Sequence, residues 1–209
     1  KGAKLSIPIF DLSTIEGQIE ALKNPSPNVR ELGRSRLVDS GEKVIPAMKT
    51  LLQHPNRFIR GRAIWVLAKL GPKGLRIVER QLNDPNPQIR ICAFRALRHE
   101  EHRMLEHAHK LASDPSPFVR REVALAMRYL PFETSRDILL EIADRFDGKD
   151  RYYLEAFGIG CTDKEAKTYQ VLKQRRQSSG YDPVYSGLVW RLHPASSIRE
   201  LKEWALNDK

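Results

Sequence analysis

The stretch SDPSPFVRREVALAMRYL, residues 113–130, sets two prolines just ahead of an arginine and then runs into an apolar pattern of helical spacing. Pro117 suits the first position of a helix, because its φ is already set and its missing N–H would have had no partner there. Ser116 offers a side-chain oxygen as N-cap. Pro115 keeps the residue before it out of the α region, so a preceding helix has to stop. The reading is a sharp corner between two helices, and the corner recurs. Pro25, Pro27 and Arg30 stand in KNPSPNVRELGRSRL, Pro55 and Arg60 in QHPNRFIRGRAIWVL, and Pro85, Pro87 and Arg90 in NDPNPQIRICAFRAL. With Pro115 and Arg120 the landmarks return every thirty residues.

Superposing the units gives two apolar stripes. In the first helix they run Val29/Ile59/Ile89/Val119, Gly33/Ala63/Ala93/Val123 and Leu37/Leu67/Leu97/Met127, at i, i+4 and i+8. In the second they run Ile45/Leu75/Leu105, Met48/Val78/Ala108/Ile138 and Leu52/Leu82. Such spacing makes one buried face per helix. A hairpin that is apolar on both helices cannot bury them alone, so neighbours must stack.

The phase weakens after Arg120. FDGKDRYYLEAFGIG aligns with Asp147 as N-cap and Arg151 as the recurrent arginine one residue late, and DKEAKTYQVLKQ follows as its second helix. A sixth unit, YDPVYSGLVWRL with SSIRELKEWAL, has Asp182 as cap and Pro183 at the first position. QRRQSSGYDP is the longest loop and the place where flexibility is expected. DLSTIEGQIEAL reads as a lone helix covering the first repeat. One domain spanning 1–209 is expected, with a cap over 1–20, repeats near 21–50, 51–80, 81–110, 111–141 and 142–175, and an atypical repeat at 180–209.

Composition bounds the possibilities. The chain has 209 residues, is 41% hydrophobic and carries 36 Lys and Arg against 26 Asp and Glu, a net +10. That content suffices for a core, and the charge suits an acidic partner, a polyanion or an anionic surface. No stretch approaches the roughly 18 uninterrupted apolar residues of a membrane-spanning helix. Cys92 and Cys161 form neither a disulfide framework nor a C-x-x-C motif. The chain opens on Lys1, which fits a processed protein or a piece of a longer one.

The D-P-x-P-x-[VI]-R corner followed by a two-helix unit resembles HEAT repeats, in particular the short HEAT-like form of phycobilisome lyases. The resemblance implies an all-α, right-handed α-solenoid of five to six helical hairpins. Asp84 and Asp114 match the acidic loop residue of that pattern, whereas Asn24 and His54 replace it and Arg57 replaces the second proline. It also implies that Arg30, Arg60, Arg90, Arg120 and Arg151, with Asp84 and Asp114, form a structural ladder between units. A second resemblance, in DGKDRYYLEAFGIGC and SGLVWRLHP, is to HEAT segments of exported planctomycete and verrucomicrobial proteins that also carry a dehydrogenase-like propeller and a c-type cytochrome domain. It implies a fragment, and a periplasmic or exported location.

Three features carry candidate chemistry. His102, Glu106 and His109 share one helical face, but no third nitrogen ligand is fixed by a motif, and a solvated face is the expectation. GIGC lacks the strand that a dinucleotide loop needs, so its glycines are expected to end a helix. Lys43, Lys73, Arg76, Arg80, Arg103, Lys110 and Arg136 fall on the second helices away from the apolar stripe. Resemblance to other HEAT arrays implies that these helices line the concave surface, so the seven cations are the expected binding stripe. Glu79, Glu106 and Asp137 lie near them, and the aromatics are not interleaved with these cations. Trp65, Phe94, Tyr129, Tyr153, Phe157, Trp190 and Trp204 are expected in or beside the core.

These readings lead to a non-catalytic binding or scaffolding module that presents a basic groove to a protein partner or to other domains of its own chain. No cofactor, metal or catalytic set is expected. The alternative is a nucleic-acid-binding HEAT protein, including an enzyme resembling the glycosylases that remove alkylated DNA bases.

Overall fold

The proline corners become helix starts. The structure, a computed structural model, describes residues 9–176 and 181–207, so part of the expected flexible loop, residues 177–180, lies outside the described residues. The chain is all-α, with no strand among the described residues. Its helices are α1 Ile15–Lys23, α2 Pro27–Asp39, α3 Ile45–Leu51, α4 Arg57–Ala68, α5 Gly71–Arg80, α6 Pro87–His99 and α7 Met104–Ala112. They continue as α8 Pro117–Ala126, α9 Phe132–Asp144, α10 Arg151–Gly160, α11 Glu165–Arg175, α12 Pro183–Leu192 and α13 Ile198–Asn207.

The chain divides into two compact units, residues 1–104 and 105–209. In the first, α2, α4 and α6 pack side by side as the first helices of successive pairs, α3 and α5 pack against them, and α1 lies on α2. In the second, α8, α10 and α12 repeat the arrangement, and α9 and α11 pair behind them. Each unit is thus a solenoid-like series of stacked helices.

The corners are built differently from the expectation in one respect. Ser116, like Ser26, occupies the N-cap position without a side-chain cap bond. The capping work is done two residues earlier, where Asp114 Oδ1 accepts from the Ser116 N–H at 2.8 Å. Asn24 accepts from Ser26 at 2.8 Å, His54 Nδ1 from Asn56 at 3.0 Å and Asp84 from Asn86 at 2.9 Å. The loop position therefore needs an acceptor rather than a charge, which is why Asn24 and His54 can stand where Asp84 and Asp114 do.

The apolar stripes form the cores. Ala63, Ala93 and Val123 are fully buried, as are Leu37, Leu67, Leu97 and Met127 in the next layer. Leu105 departs, lying at the surface. Gly33 is small for a reason: a Cβ there would sit 2.5 Å from the Leu22 backbone nitrogen, so glycine lets α1 close onto α2. Gly160 does the same between α10 and α8, where a Cβ would meet the Ala124 carbonyl oxygen at 2.4 Å. Gly160 is the last residue of α10, but Gly158 lies inside the helix, so the GIGC glycines serve packing as well as termination.

Two further expectations shift. The N-cap of α10 is Asp150, which accepts from Tyr153 N–H at 3.1 Å, and Asp147 instead accepts from Lys149 at 2.9 Å within the preceding turn. Arg151 is therefore the first residue of α10 and not the counterpart of Arg120. Tyr129 is 88% exposed and Trp190 64%, whereas Phe94, Tyr153 and Phe157 are core residues.

Candidate functional site: a cationic face on the first helices

The recurrent arginines fold back on their own corners. Arg30 donates to Pro25 O at 2.6 Å, Arg90 to Asp84 O at 2.7 Å and Arg120 to Asp114 O at 2.6 Å. Arg60 pairs with Asp84 of the next corner. In the second unit a tyrosine takes the place of that aspartate. Arg120 Nε donates to Tyr153 Oη at 3.0 Å, and Tyr153 donates onward to Ile142 O at 2.7 Å. Arg151 makes no such contact, its side chain being 87% exposed with Glu155 only at 4.0 Å.

The expected binding stripe is exposed but laced with acids. In the first unit Lys73 pairs with Glu42 at 2.6 Å and Arg103 with Glu79 at 3.1 Å, while Lys43, Arg76 and Arg80 stand exposed. His102 shares Glu79 at 3.0 Å. Lys43 lies in the 3₁₀ turn Gly41–Val44 and Arg103 just before α7, so neither is on a second helix as expected. In the second unit Lys110 is exposed and Arg136 pairs with Asp137 at 2.9 Å. Exposed pairs of this kind contribute about 0–1 kcal/mol and dilute any local potential.

The first helices of unit one carry a different arrangement, which the stripe reading missed. A cavity of about 580 Å³ opens on α4, with α2 on one side and α6 on the other. Its lining holds four arginines, Arg30, Arg57, Arg62 and Arg95, and among the described residues that line it none is acidic. Phe58 and Trp65 stand among them, so on α4 aromatics and cations do alternate. Arg57 stacks over Phe58 at 5.0 Å, the distance of a cation–π contact. Arg30, Arg62 and Trp65 also line a neighbouring hollow of about 450 Å³, where the one acid, Glu31, is held by Arg34 at 2.5–2.8 Å. That pairing lowers the Glu31 pKa.

Arg62 is placed without any carboxylate. Its Nη1 donates to Leu22 O at 2.8 Å and Asn24 O at 3.3 Å. Its guanidinium is drawn below the ordinary arginine range, first by burial and then by the charge of Arg30. Like charges are thus gathered on the protein side, with Arg30 and Arg62 held by backbone carbonyls. Cys92 lines the same cavity, but burial pushes its thiol up to about 11, against the opposing pull of Arg95. A thiol that stays protonated near neutral pH is a poor nucleophile, so the cavity favours binding over covalent chemistry.

The signal for this face was present in the sequence as departures from the repeat. Arg57 stands where the other units have Pro27, Pro87 and Pro117, and Trp65 where they have Ser35, Arg95 and Leu125, whereas Phe58 is shared with Phe118. Residues that recur in every unit serve the architecture; residues peculiar to one unit are free to serve a site. Gly61 belongs to this set. Its Cβ would meet only Cys92 Sγ, at an ordinary 3.5 Å, so neither space nor backbone demands glycine. Gly61→Ala is expected to raise stability by about 0.5–1 kcal/mol in urea denaturation, the usual gain over glycine inside a helix. A loss of stability would show that the backbone itself needs glycine there.

No family model matches the chain, and no curated protein matches it. Among the described residues no helix is long and apolar enough to cross a membrane.

Proposed function

We propose that this chain is a non-catalytic binding and scaffolding module, and that it takes an acidic segment of a protein partner, or of another domain of its parent chain, on the α2–α4–α6 face. The observation that carries the reading is the cavity with four arginines and no acid among the described residues of its lining. Arginine suits this work, because its planar fork meets carboxylates in a two-point fashion and its face lies flat on aromatic rings. A stack of rigid helix pairs supplies the geometry: regularly spaced side chains meet an extended partner with little reorganisation. The second-helix cations would add long-range attraction but little selectivity, since their carboxylate neighbours partly cancel them.

A nucleic-acid partner is favoured by one observation, the alternation of Phe58 and Trp65 with arginines, which is the composition of a stacking platform in a basic groove. The two readings separate in one titration. An eight-residue peptide of glutamate and leucine and an oligothymidylate of equal charge are each added to the chain at 0.05 and 0.15 M salt, with the Trp65 indole N–H followed by NMR. The peptide is expected to move Trp65 and to stay bound at the higher salt. Tighter binding of the oligonucleotide at the higher salt, or no movement of Trp65 with either probe, would overturn the protein-partner reading.

A further inference from the structure

Resting on that reading, the charge balance of the cavity says which acidic group fits best. Arg30 and Arg62 each satisfy part of their fork on backbone carbonyls, and both line the two adjoining hollows. Arg57 and Arg95 stand exposed at the rim of the larger one. A single carboxylate between two half-buried guanidiniums would leave net positive charge in a partly desolvated place. A dianion would neutralise it, and three terminal oxygens offer more acceptors to two forks than a carboxylate's two.

We propose that the α2–α4–α6 cavity is a phosphate-monoester site that receives a phosphorylated side chain of a protein partner. Arg30 and Arg62 grip the phosphate, Arg57 and Arg95 guide it from the rim, and Trp65 and Phe58 pack against the apolar residues beside the phosphorylated one. The open wall at Gly61 gives the phosphate room: any larger side chain at that position of α4 would grow toward Cys92 and into the cavity. No bond is made or broken; the step is binding alone.

The test uses the whole chain and three matched eight-residue peptides with phosphoserine, glutamate or serine between apolar residues, and the oligothymidylate as a fourth probe. At pH 8 the phosphoserine peptide is expected to bind roughly tenfold more tightly than the glutamate peptide, the gain of a dianion meeting two forks. That advantage should shrink as pH falls through about 6, where the phosphate dianion takes up a proton and becomes a monoanion. Arg62→Gln should abolish the advantage. Because Arg62 also bonds the α1–α2 corner, Arg57→Gln provides an exposed second variant, expected to weaken the phosphoserine peptide severalfold with the fold intact. Equal binding of the phosphoserine and glutamate peptides would overturn the phosphate assignment and leave the acidic-segment reading standing. Binding of neither peptide, or tighter binding of the oligothymidylate, would overturn both.

Discussion

Lys164→Met is expected to lower the stability of the second unit by about 2–4 kcal/mol, the scale for stripping charge-assisted bonds from buried acceptors. Lys164 lies in the turn between α10 and α11 and is only 5% exposed. Its Nζ donates to the carbonyls of Met127 at 3.1 Å, Arg128 at 3.0 Å and Leu130 at 3.0 Å. All three carbonyls lie in the turns that follow α8, and one ammonium with three protons serves all of them. Burial draws its pKa down, so the ammonium is costly as well as useful, which keeps the expected loss below three full hydrogen bonds. Methionine retains the apolar stem, so the difference reports the head group. Lys167→Met, which removes an exposed partner of Glu133 at 2.7 Å, should change stability by less than about 1 kcal/mol. Hydrogen exchange should show the loss at residues 127–135. Equal effects of the two substitutions would mean that the Lys164 ammonium does not anchor the turn after α8.

The architecture was legible because the thirty-residue phase expresses local stereochemistry. Proline at the first helical position fixes φ wherever it occurs, and α2, α6, α8 and α12 all begin on one. The same logic failed at the corners in detail, since Ser116 and Asp114 both carry a suitable oxygen and only backbone geometry decides which one accepts. Phase also misled at Arg151. The turn at Gly148, which adopts φ +76, lets Asp147 cap that turn and hands the N-cap to Asp150. Counting residues cannot see a turn that absorbs one.

The site was harder to read because repetition draws attention to what recurs. Arg30 recurs and is indeed tied to its own corner, yet it also faces the cavity beside Arg62. One side chain holds a loop with one nitrogen and leaves the rest of its fork for other work. Helical spacing puts the second-helix cations on one face and Glu79 and Asp137 near them, but spacing alone does not show that these acids close to about 3 Å, the range of an ordinary hydrogen bond, or that Glu42 reaches Lys73. Trp65 is expected in or beside the core because it falls next to an apolar stripe. It is half-buried, packing its ring edge-on to His99 at 5.7 Å while still lining the cavity.

The two cationic faces of the first unit make opposite forecasts under charge reversal. Arg57→Glu with Arg95→Glu is expected to weaken the acidic peptide roughly 30-fold, since each reversal removes about 1 kcal/mol of attraction in a partly enclosed cavity. Arg76→Glu with Arg80→Glu alters the net charge equally, but both positions are exposed on α5 and outside the cavity lining. Screening at 0.15 M salt limits charges more than about 8 Å away, so this pair should change affinity by no more than about threefold. Repeating both titrations at 0.05 M salt should widen the second effect more than the first, because enclosed charges are screened less. Should the α5 reversal weaken the peptide as much as the α4–α6 reversal at the higher salt, the partner would be bound by diffuse charge, and the first-helix cavity would lose its claim to be the site.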